Sequence, residues 1–326
     1  MDVLSDVLRA IRLTGAVYFD IRARAPWVAE TPATSRFRAK VMPGFEHVIA
    51  FHIIMDGWCW AYLTDEPDSA IRLKSGDAVI IVGGESHIMG TERSKPEDPD
   101  LSKFYRPKDR SLPFVFSELG GSGDRVNLVC GYFGCDARPF NPILNALPRL
   151  LHVRAASFGE TPIQDLIGMA LRESAHPSAG GETILSKLSE LLFLQSVRSY
   201  LEGLPSDATG WLSGLRDPHI GAALRLMHAR PGDRWTIDAL AREVGLSRSA
   251  FSERFSDLMG MPPMHYLSNW RLQVAAQHLT RHGTSIAQAA ADVGYDSEAA
   301  FHRAFKKQVG MSPGLWRRSR MNDSPH

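Results

Sequence analysis

No run in this 326-residue chain approaches the ~20 consecutive apolar residues that a membrane-spanning helix needs, so no membrane partner is expected. Cysteine is scarce: the three present, Cys59, Cys130 and Cys135, are odd in number and lack metal-finger spacing, which excludes a disulfide framework and fits a reducing compartment. An excess of one charge sign is missing too, since 37 Lys+Arg face 36 Asp+Glu. The amino-terminal MDVLSDVLRAIRLTG has acids where a secretory signal would be basic, and Val3, Leu4, Val7, Leu8 and Ile11 recur at helical spacing. It reads as the amphipathic first helix of a cytoplasmic protein. The 44% hydrophobic and 22% charged composition is that of a globular chain. Its length suggests two domains of ~100 to 200 residues each.

The near-neutral total hides an asymmetry. From residue 217 onward 14 Lys+Arg oppose 10 Asp+Glu, which leaves 23 against 26 for the rest. A basic tail therefore follows an acidic head, a modest pointer to nucleic acid. The tail also repeats itself. LAREVGLSRSAFSERFSDLMGMPP recurs as AAADVGYDSEAAFHRAFKKQVGMSP, with Phe251, Phe255, Gly260, Met261 and Pro263 answered by Phe301, Phe305, Gly310, Met311 and Pro313.

Each copy reads as two helices around a turn. Thr236 caps a helix whose apolar Ile237, Leu240, Ala241 and Val244 fall on one face, Gly245 ends it, and Ser247 caps a second helix packed by Phe251, Phe255 and Leu258. In the second copy Ile286, Ala289, Ala290 and Val293 repeat the spacing, Gly294 ends the helix, and Ser297 opens one packed by Phe301, Ala304, Phe305 and Val309. This is the helix-turn-helix plan. The stretch 262–283 starts with proline, ends with glycine and reads as one long connecting helix. Such helix pairs also occur in enzymes and scaffolds, so spacing alone leaves a plain helical bundle open.

The tandem pattern V-G-x(4,5)-A-F-x-x-x-F-x(4)-G-M-x-P resembles the DNA-binding domain of the AraC/XylS family of bacterial transcription regulators over residues 217 to 320, in both copies. The resemblance implies that the second helix of each unit enters one of two successive major grooves of double-stranded DNA. Outward positions are then Arg248, Ser249, Ser252 and Glu253 in the first unit, and Glu298, Ala299, His302, Arg303, Lys306 and Lys307 in the second. Arg303 could read guanine by two hydrogen bonds, while Lys306, Lys307 and the Arg317/Arg318/Arg320 cluster suit phosphates. Glu253 departs from the family, which often has a basic residue there. It could accept from a cytosine amino group or weaken that unit's grip.

The head differs. GAVYFDI, RFRAKVM, HVIAFHIIM, CWAYL, AIRL, DAVIIVG and VNLVCGYF are short, rich in β-branched and aromatic residues and separated by Gly, Pro and Asp, as strands of a sandwich or barrel are. KPEDPDLSKFYRPKDR (95–110) reads as a polar loop or lid. The order F-H-x(4)-G-x-C-W, L-x-x-G-D and then His87 resembles the sensor half of a cupin-type AraC subfamily, and residues 76–91 resemble the second cupin motif. A catalytic cupin holds a metal with histidines and a glutamate, and this chain lacks the first-motif pattern. Strand alternation puts His52 on a face with Ala50 and, if the strand runs on, Glu46, with His47 pointing away. Glu46, His52 and His87 are thus an incomplete triad of candidate metal ligands, and no metal or other cofactor is expected. His52, Trp58, Trp60 and His87 are the candidate effector pocket, with the two tryptophans read either as a stacking platform or as core. Cys59, Cys130 and Cys135 are redox candidates whose apolar surroundings favour inert thiols.

Between the domains, NPILNALPRLLHV reads as a short helix broken by Pro148, TPIQDLIGMALRES as amphipathic, and GETILSKLSELLFLQSVRSYLEGL as a helix with too wide an apolar surface for one-sided burial. That last helix is expected to pack on the barrel and on a second subunit of a homodimer, and 204–218 reads as the interdomain linker. The expected fold is α+β: a cupin-like β-barrel sensor (1–150), a helical connecting and dimerisation region (151–205), a linker (206–217) and an all-α domain of two helix-turn-helix units joined by a long helix (218–320). The family resemblance adds RNA polymerase as a partner and activation as the outcome, under an unknown small-molecule effector or redox signal. A metal-dependent cupin enzyme with a helical appendage is the alternative, though no enzymatic activity is expected.

Overall fold

The computed structural model describes residues 2–94, 114–154, 162–175, 178–205, 207–281 and 283–322. The stretch 95–110 read as a loop or lid lies outside them. Among the described residues no helix is long and apolar enough to cross a membrane. The chain forms two compact units, Leu13–Cys135 with Leu147–Glu202, and Met1–Arg12 with Asp136–Ala146 and Gly203–His326.

The first unit is built on strands β1 (Thr14–Arg24), β2 (Val28–Thr31), β3 (His47–Asp56), β4 (Trp58–Leu63) and β5 (Ile71–Lys74). It continues with β6 (Ala78–Ile81), β7 (His87–Gly90), β8 (Phe114–Gly120), β9 (Arg125–Cys135) and β10 (Leu150–Val153). A six-stranded sheet runs β10-β6-β3-β9-β1-β8 and a four-stranded sheet β2-β7-β4-β5. Side chains alternate along a strand, so each sheet gives one face to the interior. Val48, Ala50 and Ile54 of β3, Leu128, Cys130 and Tyr132 of β9, and Cys59, Ala61 and Leu63 of β4 meet in one buried cluster. On the other face of β3, Phe51 stacks on Phe133 at 4.5 Å, and Phe133 meets Phe193 at 5.1 Å.

Two readings of this unit change. RFRAKVM alternates as a strand would, yet it forms a 3-10 turn followed by the one-turn helix Arg38–Val41. Phe37 and Val41 are both buried, and a separation of four residues is also helical spacing. LLHV after Pro148 is a strand: β10 pairs with β6 from Leu150↔Ile81 to Val153↔Ala78. The longest helix, Gly181–Glu202, buries Leu185, Leu188, Leu192, Phe193 and Val197. It lies so close to β1 that a Cβ on Gly15 would meet the Ser189 Cβ at 2.6 Å. Its Ile184 and Leu191 are exposed. Pro162–Ala175 is the helix before it.

The second unit holds α1 (Val3–Ala10), α2 (the short Pro142–Ala146), α3 (Trp211–Arg216), α4 (Pro218–Ala229), α5 (Ile237–Glu243) and α6 (Arg248–Met259). It ends with α7 (Pro263–Leu279), α8 (Ile286–Asp292), α9 (Glu298–Val309) and α10 (Pro313–Asn322). The stretch read as a linker contains α3, because Trp211 is a core residue whose indole N–H donates to the Tyr266 hydroxyl at 3.0 Å. The two helix pairs form as their caps dictate. Thr236, Ser247, Ser285 and Ser297 each accept from the amide three residues on. Gly245 and Gly294 take φ of 70° and 81°, which a residue with a Cβ seldom adopts. Phe251 and Phe255 lock the first pair, and Phe301 and Phe305 the second.

Candidate nucleic-acid interface and sensor site

The buried phenylalanine stripes of α6 and α9 fix which side each helix turns to solvent. On α6, Arg248, Ser249 and Glu253 are exposed and Ser252 is half-buried. On α9, Glu298, Ala299, Arg303, Lys306 and Lys307 are exposed and His302 is half-buried. Ten sequence-selected side chains therefore lie off the core, on the same side of each second helix. Some are already paired: Arg248 reaches Asp238 at 3.1 Å, and His302 faces Glu298 at 3.6 Å. The arginine cluster of α10 splits. Arg318 is exposed, whereas Arg320 is buried, pairs with Asp136 at 3.0 Å and lies 4.2 Å over the Trp316 ring. Arg320 is thus an internal cation and not a phosphate contact. A run of three arginines in four residues gave no hint of this, because Asp136 is remote in sequence.

Inside the sheet unit, His52 of β3, His87 of β7 and Cys130 of β9 converge. The His52 Nε2 and His87 Nε2 atoms are 2.7 Å apart, the His52 Nδ1 lies 2.8 Å from the Cys130 sulfur, and the His87 Nδ1 is 3.0 Å from the Glu85 carbonyl. Burial holds both imidazoles neutral, with the His87 pKa brought down to about 4 and that of His52 pushed well below its usual value. The protons then have one arrangement. The Glu85 carbonyl can only accept, so His87 donates from Nδ1 and accepts at Nε2. His52 must donate from Nε2, and its Nδ1 accepts from the Cys130 thiol. Burial pushes the Cys130 thiol up, in keeping with a protonated donor. Sequence reading found the two histidines but not this partner, since register alone sets His52 opposite Cys130.

The other candidates fall elsewhere. Trp58 and Trp60 are only half-buried and alternate with the buried Cys59 and Ala61. They lie on the opposite face of β4 from the interior and so share no pocket with His52 and His87. Arg72 sits 4.3 Å over Trp58 and Arg93 5.8 Å over Trp60. Glu46 precedes β3, and its carbonyl accepts from Arg38. Among the described residues no three His, Cys, Asp or Glu side chains are placed to hold a metal ion. Cys59, Cys130 and Cys135 are all buried, and burial pushes Cys59 up to about 12.

A two-sheet domain followed by two capped helix-turn-helix pairs on one connecting helix is the build of a DNA-binding transcription regulator. A family model described as cupin matches residues 2–202, and one described as a helix-turn-helix domain matches 240–319. A putative AraC-like transcription regulator of Streptomyces lividans is 32% identical over 98% of this chain and 98% of its own. The transcriptional regulator AlkR of Acinetobacter baylyi is 29% identical over 97% of this chain and 99% of its own. Among solved structures, the DNA-binding domain of AdpA in complex with a target DNA is 25% identical, with a TM-score of 0.32, over 34% of this chain and 98% of that one. The chain belongs to the AraC family of DNA-binding transcription regulators, with a cupin-like amino-terminal domain.

Proposed function

We propose that this regulator is an activator that reads two successive major-groove sites through α6 and α9 and is set by a signal received at the His52–His87–Cys130 cluster. The DNA-reading part is carried by the exposed Arg303, Lys306 and Lys307 beside the buried Phe301 and Phe305: a core stripe and a basic stripe on one helix. Arg303 reads a base edge, and the two lysines at the end of α9 neutralise phosphates. The signal part is carried by a fully satisfied polar chain inside an otherwise apolar interior. Such a chain has few alternatives, so an added or removed proton, ligand or oxygen atom at one member forces the others to rearrange. The signal is a small molecule or an oxidant. The protein works in the cytoplasm, as a homodimer contacting RNA polymerase.

Selection of bound sequences from random duplex DNA, followed by titration across salt, tests the first part. A selected motif whose affinity falls steeply with salt supports it, and the absence of any enriched sequence sinks it. For the second part, a screen for compounds that raise the melting temperature is decisive, because a ligand of the folded state alone must stabilise it. Stoichiometric iron, nickel, manganese or zinc in the purified protein would favour the metal-dependent enzyme instead.

A further inference from the structure

Neighbouring strands β1 and β9, paired from Thr14↔Gly134 to Arg24↔Arg125, run directly into two short segments that belong to the helical unit. Arg12 stands just before β1, and Asp136 follows β9 without an intervening residue. Asp136 is buried, and its carboxylate accepts from Arg12 Nε at 2.7 Å, Arg12 Nη2 at 2.8 Å and Arg320 at 3.0 Å. Its amide donates to the Ile11 carbonyl at 2.8 Å, and its own carbonyl accepts from Asn141 at 2.8 Å. One carboxylate thus ties Arg12, the segment Asp136–Ala146 and α10 of the helical unit together.

The same few residues also reach α9 of the second helix-turn-helix unit and the connecting helix α7. Arg138 donates to the Val309 carbonyl at the end of α9 at 2.8 Å, where a cation also suits the helix dipole. Gln273, in the middle of α7 and buried, spends both ends of its amide on these segments. Its oxygen accepts from the Phe140 amide at 2.9 Å, and its nitrogen donates to the Ala10 carbonyl at 2.7 Å. Arg320 rests on Trp316, whose ring meets Phe305 of α9 at 6.0 Å. A buried ion pair adds little stability, but its strict geometry allows one docked arrangement.

We infer that Asp136, Arg138 and Gln273 are positioning residues for DNA reading: they tie the segments Met1–Arg12 and Asp136–Ala146 of the helical unit to α7, α9 and α10 and so fix the separation of the two reading helices. The inference rests on α6 and α9 being those helices. It also gives a displacement of β1 or β9 a covalent route of one or two residues into the DNA-binding unit. None of the three touches DNA. Their effect is on how strictly two half-sites must be spaced, because α7 joins the two units and the carboxyl-terminal end of α9 is held by Arg138.

The test uses the full chain and a DNA site selected from a random pool with the wild-type protein. Affinity is measured for that site, for sites with one base pair added or removed between the half-sites, and for each half-site alone. Wild type should lose about tenfold or more on a spacing change, since each misplaced contact costs ~1–3 kcal/mol. Asp136→Asn and the exposed Arg138→Ala should lose roughly two- to threefold, while half-site affinity stays within about twofold. Arg138→Ala keeps the test decisive if Asp136→Asn does not fold. Unchanged discrimination, or a uniform fall at every spacing, overturns the inference while the DNA-reading assignment stands. Failure of the wild type to select any sequence overturns both.

Discussion

His52 and His87 face each other Nε2 to Nε2 at 2.7 Å, with His52 bound on its far side to the Cys130 sulfur. Because the chain of donors has one sense, its members are not interchangeable. Cys130→Ser keeps a donor for His52 Nδ1 and should leave stability within about 1 kcal/mol of wild type. Cys130→Ala strands a buried acceptor and should cost about 1–3 kcal/mol. Urea unfolding of the two variants checks the ordering, and equal stability would remove the hydrogen-bond chain from the account.

His87→Ala should abolish the response to the signal while leaving DNA affinity within about twofold, since α6 and α9 belong to the other compact unit. Gel-shift titration of wild type and variant, with and without a stabilising compound found by the melting screen, measures both quantities. A variant that still responds would move the signal site away from this cluster.

Acid should unfold the helical unit through His228. Its ring is buried, stacks 3.8 Å from Trp270 and meets the Tyr266 hydroxyl at 2.9 Å. That hydroxyl also accepts from the Trp211 indole at 3.0 Å. Burial brings the His228 pKa down to about 3. The folded value lies below the unfolded one, so the unfolded state binds the proton first. Stability is then fully present above pH ~6.5 and is lost as pH falls toward 3. At pH 5 the loss is about 2 kcal/mol, from about 1.5 pH units at 1.36 kcal/mol each. Tryptophan fluorescence during urea unfolding at pH 7.5 and 5 reads it, and His228→Gln should flatten the difference.

On α9, Arg303→Ala should cost about 1–3 kcal/mol at the selected site and relax the preference at one base pair. Lys306→Ala should instead weaken binding to all sequences alike and lower the salt slope by about one. Binding curves on the selected site and its single-base variants separate the two. If both substitutions behave alike, the split between base reading and phosphate contact fails.

The helical half was legible because its signals are local. Caps, closing glycines and phenylalanines four apart lie within one turn of the structure they specify, and the repeat shows each twice. The sheets were legible as strands, but their partners were not. Period-two alternation places Trp58 and Trp60 on one face, but whether that face is interior depends on which residues stand opposite. Cys59↔Leu73 and Ala61↔Met89 decide it in favour of the other face. RFRAKVM failed for a related reason, since alternation and a spacing of four coincide over so few residues. Asp136 with Arg12 and Arg320 was out of reach, because pairs so remote in sequence leave no periodic trace.

The helix Gly181–Glu202 carries the remaining prediction. It buries Leu185, Leu188 and Leu192 on one side and exposes Ile184 and Leu191, two turns apart, on another. Lys187 and Glu190, paired at 2.9 Å, lie between them in sequence. Two exposed aliphatic side chains one above the other are the start of an apolar seam, and a second copy of this helix is the partner that would cover both by symmetry. Both are already about half covered, so removing the remainder from water is worth about 1 kcal/mol each, or twice that for the pair across a twofold axis. Leu191→Glu should therefore shift the chain from dimer to monomer at micromolar concentration in light scattering. Its sheet unit should keep its melting temperature within a few degrees, because Leu191 is not among the buried residues of this helix. A wild-type chain that is already monomeric would end the dimer proposal, and an unfolded variant would show that Leu191 serves the interior instead.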